Sequence, residues 1–244
     1  MTLTGKINDE GIVRWPLLIP GSLVKRYKRF LADIVLDTGE EITAHCPNSG
    51  SMKACSQPGQ PVYVSYHNNP KRKLKYTWEL IAMPTSLVGV NTNIPNRLVK
   101  TAIENDHIPE LRGYDRVISE VRVNTHSRLD LMLEKHTGQA CYVEIKNCTL
   151  VDDSGHACFP DAVTTRGRKH LVELERLVKK GYDCAMFFLI QRMDARTFSP
   201  ADHIDPDYGR ELRKAETKGV RILVYDVDID LKRIAIRRAI PFSL

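Results

Sequence analysis

The run CAMFFLI, residues 184–190, contains no polar residue. It is shorter than an ordinary helix and lacks the in-and-out alternation of a strand with one wet face. It reads as a strand covered on both sides, and such strands belong to sheets that carry helices on their faces. A chain holding one has to build layers around it.

The neighbouring segments supply those layers. A helix is predicted at about 96–106, opened by Pro95 and Asn96. Three strands follow, RVISEVRV, RLDLMLE and ACYVEIKN. A longer helix then runs through RGRKHLVELERLVKKG, with Leu171, Leu174 and Val178 as its apolar stripe and Gly181 as its stop. After CAMFFLI come a polar helix at about 206–218 and two last strands, VRILVYDV and RIAIRRAI. This order defines an α/β sandwich around a mixed central sheet.

Residues up to about 84 have a different character, with almost no helical periodicity. RWPLLI ends at a predicted turn, Pro20-Gly21. RFLADIVLD and EEITAHC are joined at Thr38-Gly39, and PVYVSYH and YTWELIAM complete the set. Five short strands with basic, aromatic-bearing loops suit an OB-like β-barrel, although pattern alone does not separate it from other small β folds. The expected division is 1–84 for the barrel and 85–244 for the sandwich. HCPNSGSM, residues 45–52, carries Pro-Asn and Ser-Gly turn signals and reads as a tight loop.

Charge is uneven. The net is +6, and residues 1–84 carry 11 Lys and Arg against 7 Asp and Glu. Two clusters dominate: KRYKR (Lys25, Arg26, Lys28, Arg29) and KRKLK (Lys71, Arg72, Lys73, Lys75). Tyr27 and Phe30 flank the first; Tyr66, Tyr76 and Trp78 lie near the second. Cations beside aromatic rings are what phosphate contact and base stacking require, whereas either cluster alone also fits a solvated loop. No helix stands out as a basic recognition helix, so contact dominated by phosphates and largely indifferent to sequence is expected. The six cysteines form no C-x-x-C pair, no apolar run approaches the length of a bilayer span, and the N-terminal stretch has no apolar leader core. These features point to a cytoplasmic protein with free thiols and no membrane partner.

RLDLMLE and ACYVEIKN are separated by KHTGQ, a hairpin-length loop containing Gly138. If Glu134 faces Ala140, then Asp130 faces Glu144. Alternation puts Leu129, Leu131 and Leu133 on one side of the first strand. Two opposed carboxylates destabilise a sheet unless something neutralises them. A divalent cation does so, and oxygen ligands suit Mg²⁺ or Mn²⁺. Lys146, two residues beyond Glu144, shares its face and can hold a water against a phosphate. An ordinary solvated strand face with a mild ion pair is the competing explanation.

Asp130, followed after thirteen residues by Glu144-Ile145-Lys146, resembles the PD-(D/E)xK motif of the restriction-endonuclease-like superfamily. Leu129 stands where the name-giving proline would be. Over nearly the whole chain the sequence resembles the bacterial sugar fermentation stimulation protein A family. The resemblance is carried by VKRYKRFLADIVLDTGEEITAHCPNSGSM, NPKRKLKYTWEL, SRLDLMLE, VEIKNCTL and FPDAVTTRGRKHLVEL. It implies an N-terminal OB-type domain, a nuclease-like C-terminal domain, DNA binding and a link to the regulation of sugar use, notably maltose. Carried over, Asp130 and Glu144 are metal ligands, Lys146 is the catalytic lysine, and Glu120 on the preceding strand is a further carboxylate. Within FPDAVTTRGRKHL, Arg166 and His170 lie one helical turn apart. They are candidates for binding the scissile phosphate, with His170 also a candidate for proton transfer. Two functions remain open: a metal-dependent nuclease, and a DNA-binding regulator that cuts nothing. DNA against RNA, strandedness and oligomeric state, a homodimer included, stay undetermined.

Overall fold

The computed structural model describes residues 11–125 and 127–244. The expectation about the N-terminal leader concerns residues 1–10, which lie outside these.

The chain opens with seven strands: β1 (Ile12–Arg14), β2 (Leu18–Tyr27), β3 (Leu31–Leu36), β4 (Glu41–His45), β5 (Pro61–Tyr66), β6 (Tyr76–Met83) and β7 (Ser86–Gly89). β2 to β6 form a closed five-stranded barrel, sealed by the parallel pairing of β4 with β6, and β7 is added beside β6. Alternation explains the interior: Ala32, Ile34 and Leu36 of β3 and Ile42 and Ala44 of β4 point inward around Trp78.

Two sequence expectations change here. Pro20-Gly21 does not end a strand. β2 runs through it, pairing Pro20 with Tyr63 and Gly21 with both Val62 and Leu36. Gly21 is needed because a Cβ there would meet the Val35 carbonyl oxygen at 2.6 Å. The true turn is at residues 28–30, with Lys28 (φ 49°) and Arg29 (φ 64°) in the left-handed region. The division at 84 also shifts, in two ways. β7 completes a hairpin with β6 and belongs with the barrel, while β1 pairs with the last strand of the chain.

The remaining elements follow the predicted order: α1 (Ile94–Glu104), β8 (Arg116–Arg122), β9 (Arg128–Glu134), β10 (Ala140–Cys148), β11 (Leu150–Val151), β12 (His156–Phe159), α2 (Thr165–Lys179), β13 (Asp183–Ile190), β14 (Thr197–Pro200), α3 (Pro206–Thr217), β15 (Arg221–Ile229) and β16 (Arg233–Ala239), with three short strands, β11, β12 and β14, added to that order. The main sheet runs β1-β16-β15-β13-β10-β9-β8, with β10, β13 and β15 parallel and the other pairs antiparallel. β13, the CAMFFLI strand, lies in the middle and is buried over Cys184–Ile190. β11, β12 and β14 form a small extra sheet that periodicity did not signal, since two- and four-residue strands carry too little pattern.

Each face of the main sheet has its own core. Leu98, Val99 and Ala102 of α1 pack on one face against Leu131, Val143 and Phe187. Leu171, Leu174 and Leu177 of α2 pack on the other with Tyr208 and Leu212 of α3. Leu80 of the barrel enters the α1-side core, so the two domains share buried apolar surface. Thr164 caps α2 by accepting the Gly167 N–H, and Asp205 caps α3 by accepting the Tyr208 N–H. No described helix is long and apolar enough to cross a membrane.

Candidate metal and nucleic-acid site

The β9–β10 register pairs Ala140 with Glu134 and runs to Val143 opposite Leu131. There the ladder stops, one residue short of Asp130 and Glu144. The backbone N–H of Ile145, left over where the strands part, donates to Asp130 Oδ2 at 2.8 Å. Asp130 Oδ1 accepts from Asn96 Nδ2 at 2.8 Å, from the first turn of α1. The parting also turns the strand over. Leu131 and Leu133 pack in the α1-side core while Leu129 packs in the α2-side core, so the three leucines do not share one face.

Glu144 is 2% exposed on β10. Its Oε1 receives Lys146 Nζ and lies against His170 Nδ1. Its Oε2 is buried without a hydrogen-bond partner among the described residues. Burial pushes the Glu144 carboxyl up, but the Lys146 charge and the hydrogen bond from His170 outweigh it and hold it below the usual range. Asp130 moves the other way. Burial, then the Glu144 charge, raises it to about 6 against the Ile145 N–H, Lys146 and Asn96. One carboxylate of the pair is thus kept ionised by two cations or donors, and the second is raised partly by the first.

His170 comes from α2. Its Nε2 faces Arg166 Nε at 3.5 Å. Arginine only donates, so Nε2 is the acceptor, and the ring proton of the neutral imidazole sits on Nδ1, aimed at Glu144. Lys146 Nζ, at 3.4 Å from Nδ1, is then a neighbour and not a donor to it. His170 is engaged with Glu144, and Arg166, an exposed residue, reaches back to His170 through its Nε.

The expected third carboxylate does not join them. Glu120 has φ 57°, its side chain is 60% exposed, and it pairs with Arg128 at 3.7 Å. Its left-handed backbone, opposite Asp130 in strand order, carries the side chain outward.

Two residues that sequence reading missed complete the surroundings. Asn96 was read as a helix start and proves to bond Asp130. Tyr208 of α3 is fully buried, and its hydroxyl has no partner among the described residues. Burial and then the Glu144 charge push it well above its ordinary value. Neither carried a local sequence signal.

No group of three or more His, Cys, Asp and Glu side chains among the described residues encloses an ion by itself. The donors present still fit a divalent cation that prefers oxygen ligands. Mg²⁺ is commonly held by one or two carboxylates, with water and substrate phosphate filling its remaining positions. The orphaned Glu144 Oε2 and the second lone pairs of Asp130 provide that partial shell.

The basic clusters gather at one rim of the barrel. Leu31 pairs with Tyr27 and His45, His45 with Thr77, and Tyr76 with Tyr66, so the 28–30 turn and the 67–75 loop leave the same end. Lys28, Arg29, Lys71 and Lys73 are exposed there. The others are partly committed. Lys25 lies 3.6 Å from Asp33, Arg72 donates to Thr77 Oγ1, and Lys75 donates to the Asn69 carbonyl. Arg26 is a structural residue, its guanidinium donating to the carbonyls of Arg29, Asn48, Gly50 and Ser51.

A closed OB-type barrel joined to a mixed α/β sandwich, with a buried carboxylate pair and a lysine where two strands part, defines a two-domain, restriction-endonuclease-like architecture. Comparison with known proteins agrees. Residues 24–90 match the family described as SfsA N-terminal OB domain, and residues 93–233 match the Sugar fermentation stimulation protein RE domain. The chain belongs to the sugar fermentation stimulation protein family. It is 53% identical over 208 residues to the homologue from Geotalea uraniireducens, covering 85% of this chain and 89% of that one. To the homologue from Pelobacter propionicus it is 51% identical over 232 residues, covering 95% and 100%. Among solved structures, Pyrococcus furiosus SfsA in complex with Ca²⁺ matches with a TM-score of 0.86 at 25% identity, over 95% of this chain and 98% of that one.

Proposed function

We propose that this protein is a cytoplasmic DNA-binding protein with a divalent-metal-dependent phosphodiester-cleaving site. The observation that carries this reading is Glu144: a buried carboxylate, kept ionised by Lys146 and His170, with one oxygen unpartnered beside Asp130. Burying a charge with a free lone pair is costly unless another ligand completes it. The relative solved with Ca²⁺ supports a divalent ion at this fold.

Asp130 and Glu144 would hold Mg²⁺ or Mn²⁺, which when bound would neutralise phosphate charge and lower the pKa of a water. Lys146, its side chain 15% exposed, keeps its ammonium on Glu144 Oε1 beside the carboxylate pair, where it can also hold a phosphate oxygen or the attacking water. His170 fixes the Glu144 rotamer through Nδ1–H, and Asn96 with the Ile145 N–H fixes Asp130. The exposed lysines and arginines of the barrel rim supply phosphate contacts that carry no sequence information.

The second reading, a DNA-binding regulator of sugar use that does not cut, is favoured by the name of the relatives and by Glu120 lying outside the carboxylate pair. The deciding experiment incubates single- and double-stranded DNA and RNA with Mg²⁺, Mn²⁺ or EDTA, beside a Lys146→Ala variant. Metal-dependent cleavage that disappears in the variant establishes the nuclease. Salt-sensitive binding without cleavage in both proteins establishes the regulator.

A further inference from the structure

HCPNSGSM has no part in the carboxylate site, yet the fold invests heavily in its shape. Arg26 gathers the carbonyls of Asn48, Gly50 and Ser51. Asn48 Oδ1 accepts the Gly50 N–H, and Thr92 Oγ1 donates to the Pro47 carbonyl. Met52, 1% exposed, is held at φ 53°, a strained value for a side-chain-bearing residue. Across the domain boundary, the Met52 N–H donates to Asp161 Oδ2 at 3.1 Å. A Cβ at Gly50 would meet that same oxygen at 2.5 Å and displace Asp161 from this bond.

What this scaffolding creates is a cleft of about 450 Å³ between the barrel and residues 159–164. The volume falls within the range of about 300–1,000 Å³ usual for small ligands. A base can enter a cleft of this size only when it is unpaired or turned out of its stack. Asn48, Ser51, Thr92 and Asn147 line it with neutral donors and acceptors, which suits the edge of a base. Val163, 67% exposed, gives it an apolar wall. Arg26 is used up by carbonyls, which leaves Arg29 as the lining cation without an ion pair among the described residues. The lining carries two guanidiniums, Arg26 and Arg29, and one carboxylate, Asp161, a net positive charge that matches a single phosphodiester.

The cleft also adjoins the carboxylate site along two segments. Asn147 follows Lys146 on β10, and Thr164 precedes His170 by six residues, or about 9 Å of helix. At about 3.4 Å per stacked nucleotide that is two to three nucleotides.

We infer that this interdomain cleft takes one unpaired nucleotide of a DNA strand, its base beside Val163 and the 48–51 loop and its phosphate on Arg29. The protein therefore engages DNA at single-stranded stretches or overhangs in preference to blunt duplex. This rests on the nucleic-acid reading above and adds the strandedness of its substrate. The site is distinct from the outer face of the barrel, since it is built from both domains.

The test is equilibrium binding in EDTA, followed by fluorescence anisotropy. The labelled DNAs are a short single strand, a blunt duplex and the same duplex with a short overhang. Wild type is expected to bind the single strand and the overhang about ten-fold tighter than the blunt duplex. Ser49→Trp and Val163→Trp, both at exposed positions that tolerate a large side chain, fill the cleft and bring that ratio close to one. Arg29→Ala, in an exposed turn, is expected to lower the same ratio without filling anything. Equal binding of all three DNAs by wild type, or an unchanged ratio in all three variants, overturns the inference and leaves the DNA-binding reading standing. Binding of none of the DNAs overturns both.

Discussion

Asp130 Oδ2 accepts the backbone N–H of Ile145 at 2.8 Å, closing by side chain the gap where the β9–β10 ladder ends. The bond places one carboxylate next to the strand that carries the other. The sheet tolerates two buried acids because one is embedded in donors while burial and its neighbour's charge raise the other toward its neutral form. Asp130→Asn keeps an oxygen for Ile145 and removes the buried charge. The variant is expected to melt above wild type in EDTA and to gain nothing from Mn²⁺. Wild type at a cation concentration one hundred times its Kd should gain about 2.7 kcal/mol. Thermal unfolding of both proteins, with and without Mn²⁺, checks this. A Mn²⁺ shift in the variant equal to that of wild type would place the ion elsewhere.

His170 meets Glu144 through Nδ1 and Arg166 through Nε2, so its place is behind the carboxylate. Losing an outer partner of a ligand typically costs about 10–100-fold in activity or metal affinity. His170→Ala is expected to lower Mn²⁺ affinity and cleavage together by that factor. Calorimetry of Mn²⁺ binding separates this from direct proton transfer, which would lower cleavage and leave the affinity unchanged.

Tyr208 lies fully buried in the α2-side core, with its hydroxyl unpartnered among the described residues and the charge of Glu144 close enough to act on it. A buried unsatisfied hydroxyl costs about 1–3 kcal/mol. Tyr208→Phe removes that cost while keeping the ring packed against Phe159. Urea unfolding should show the variant more stable by about 1 kcal/mol. A less stable variant would show that the hydroxyl bonds a buried water, with Glu144 Oε2 its natural second partner.

These relationships mark how far the sequence could be read. α2 and the β9–β10 hairpin were legible because one-sided burial imposes a period on consecutive residues, β13 because burial on both faces leaves an unbroken apolar run, and the loop length set the hairpin register. Pro20-Gly21 misled because turn residues also allow a strand to bend, and the choice depends on how closely Val35 approaches. Leu129 changed sides because alternation assumes a continued ladder, which the Ile145–Asp130 bond replaces. Asp130, Glu144 and Lys146 stood out as charges in a strand, but Asn96 and Tyr208 are neutral residues whose meaning comes from partners far along the chain. Glu120 had the right residue type and strand but the wrong backbone angle, which no pattern of side chains reveals.

Arg26 and Lys28 lie two residues apart in the same basic cluster and do different work. Arg26 satisfies four carbonyls, three of them in the 48–51 loop, while Lys28 is exposed in the turn. Arg26→Ala strands those carbonyls and is expected to cost about 2–3 kcal/mol of stability. Lys28→Ala should leave stability within about 0.5 kcal/mol. On DNA it should reduce the slope of log affinity against log salt by about 1. Denaturation and a salt titration of each variant check the pair. A large stability loss from Lys28→Ala would assign the turn a structural role instead.

Glu79 ties the barrel to the segment leading into α1, accepting from Ser65 Oγ at 2.6 Å and from Asn91 Nδ2 at 2.7 Å while 4% exposed. Burial raises its carboxyl above the usual range despite those two bonds and the charges of Arg97 and Arg72. A raised folded-state value means that ionising Glu79 costs more in the folded protein than in the unfolded chain. Its effect is therefore nil below the ordinary carboxylate range. Stability is then lost as pH climbs from the unfolded value through the raised one. Glu79→Gln does not ionise and escapes this loss. Its melting temperature relative to wild type is expected to rise as pH increases from about 4 to 7. Melting curves of the two proteins across that interval decide the matter. A relative fall would show that the Glu79 carboxylate, paired with Arg97, stabilises the junction in its charged form.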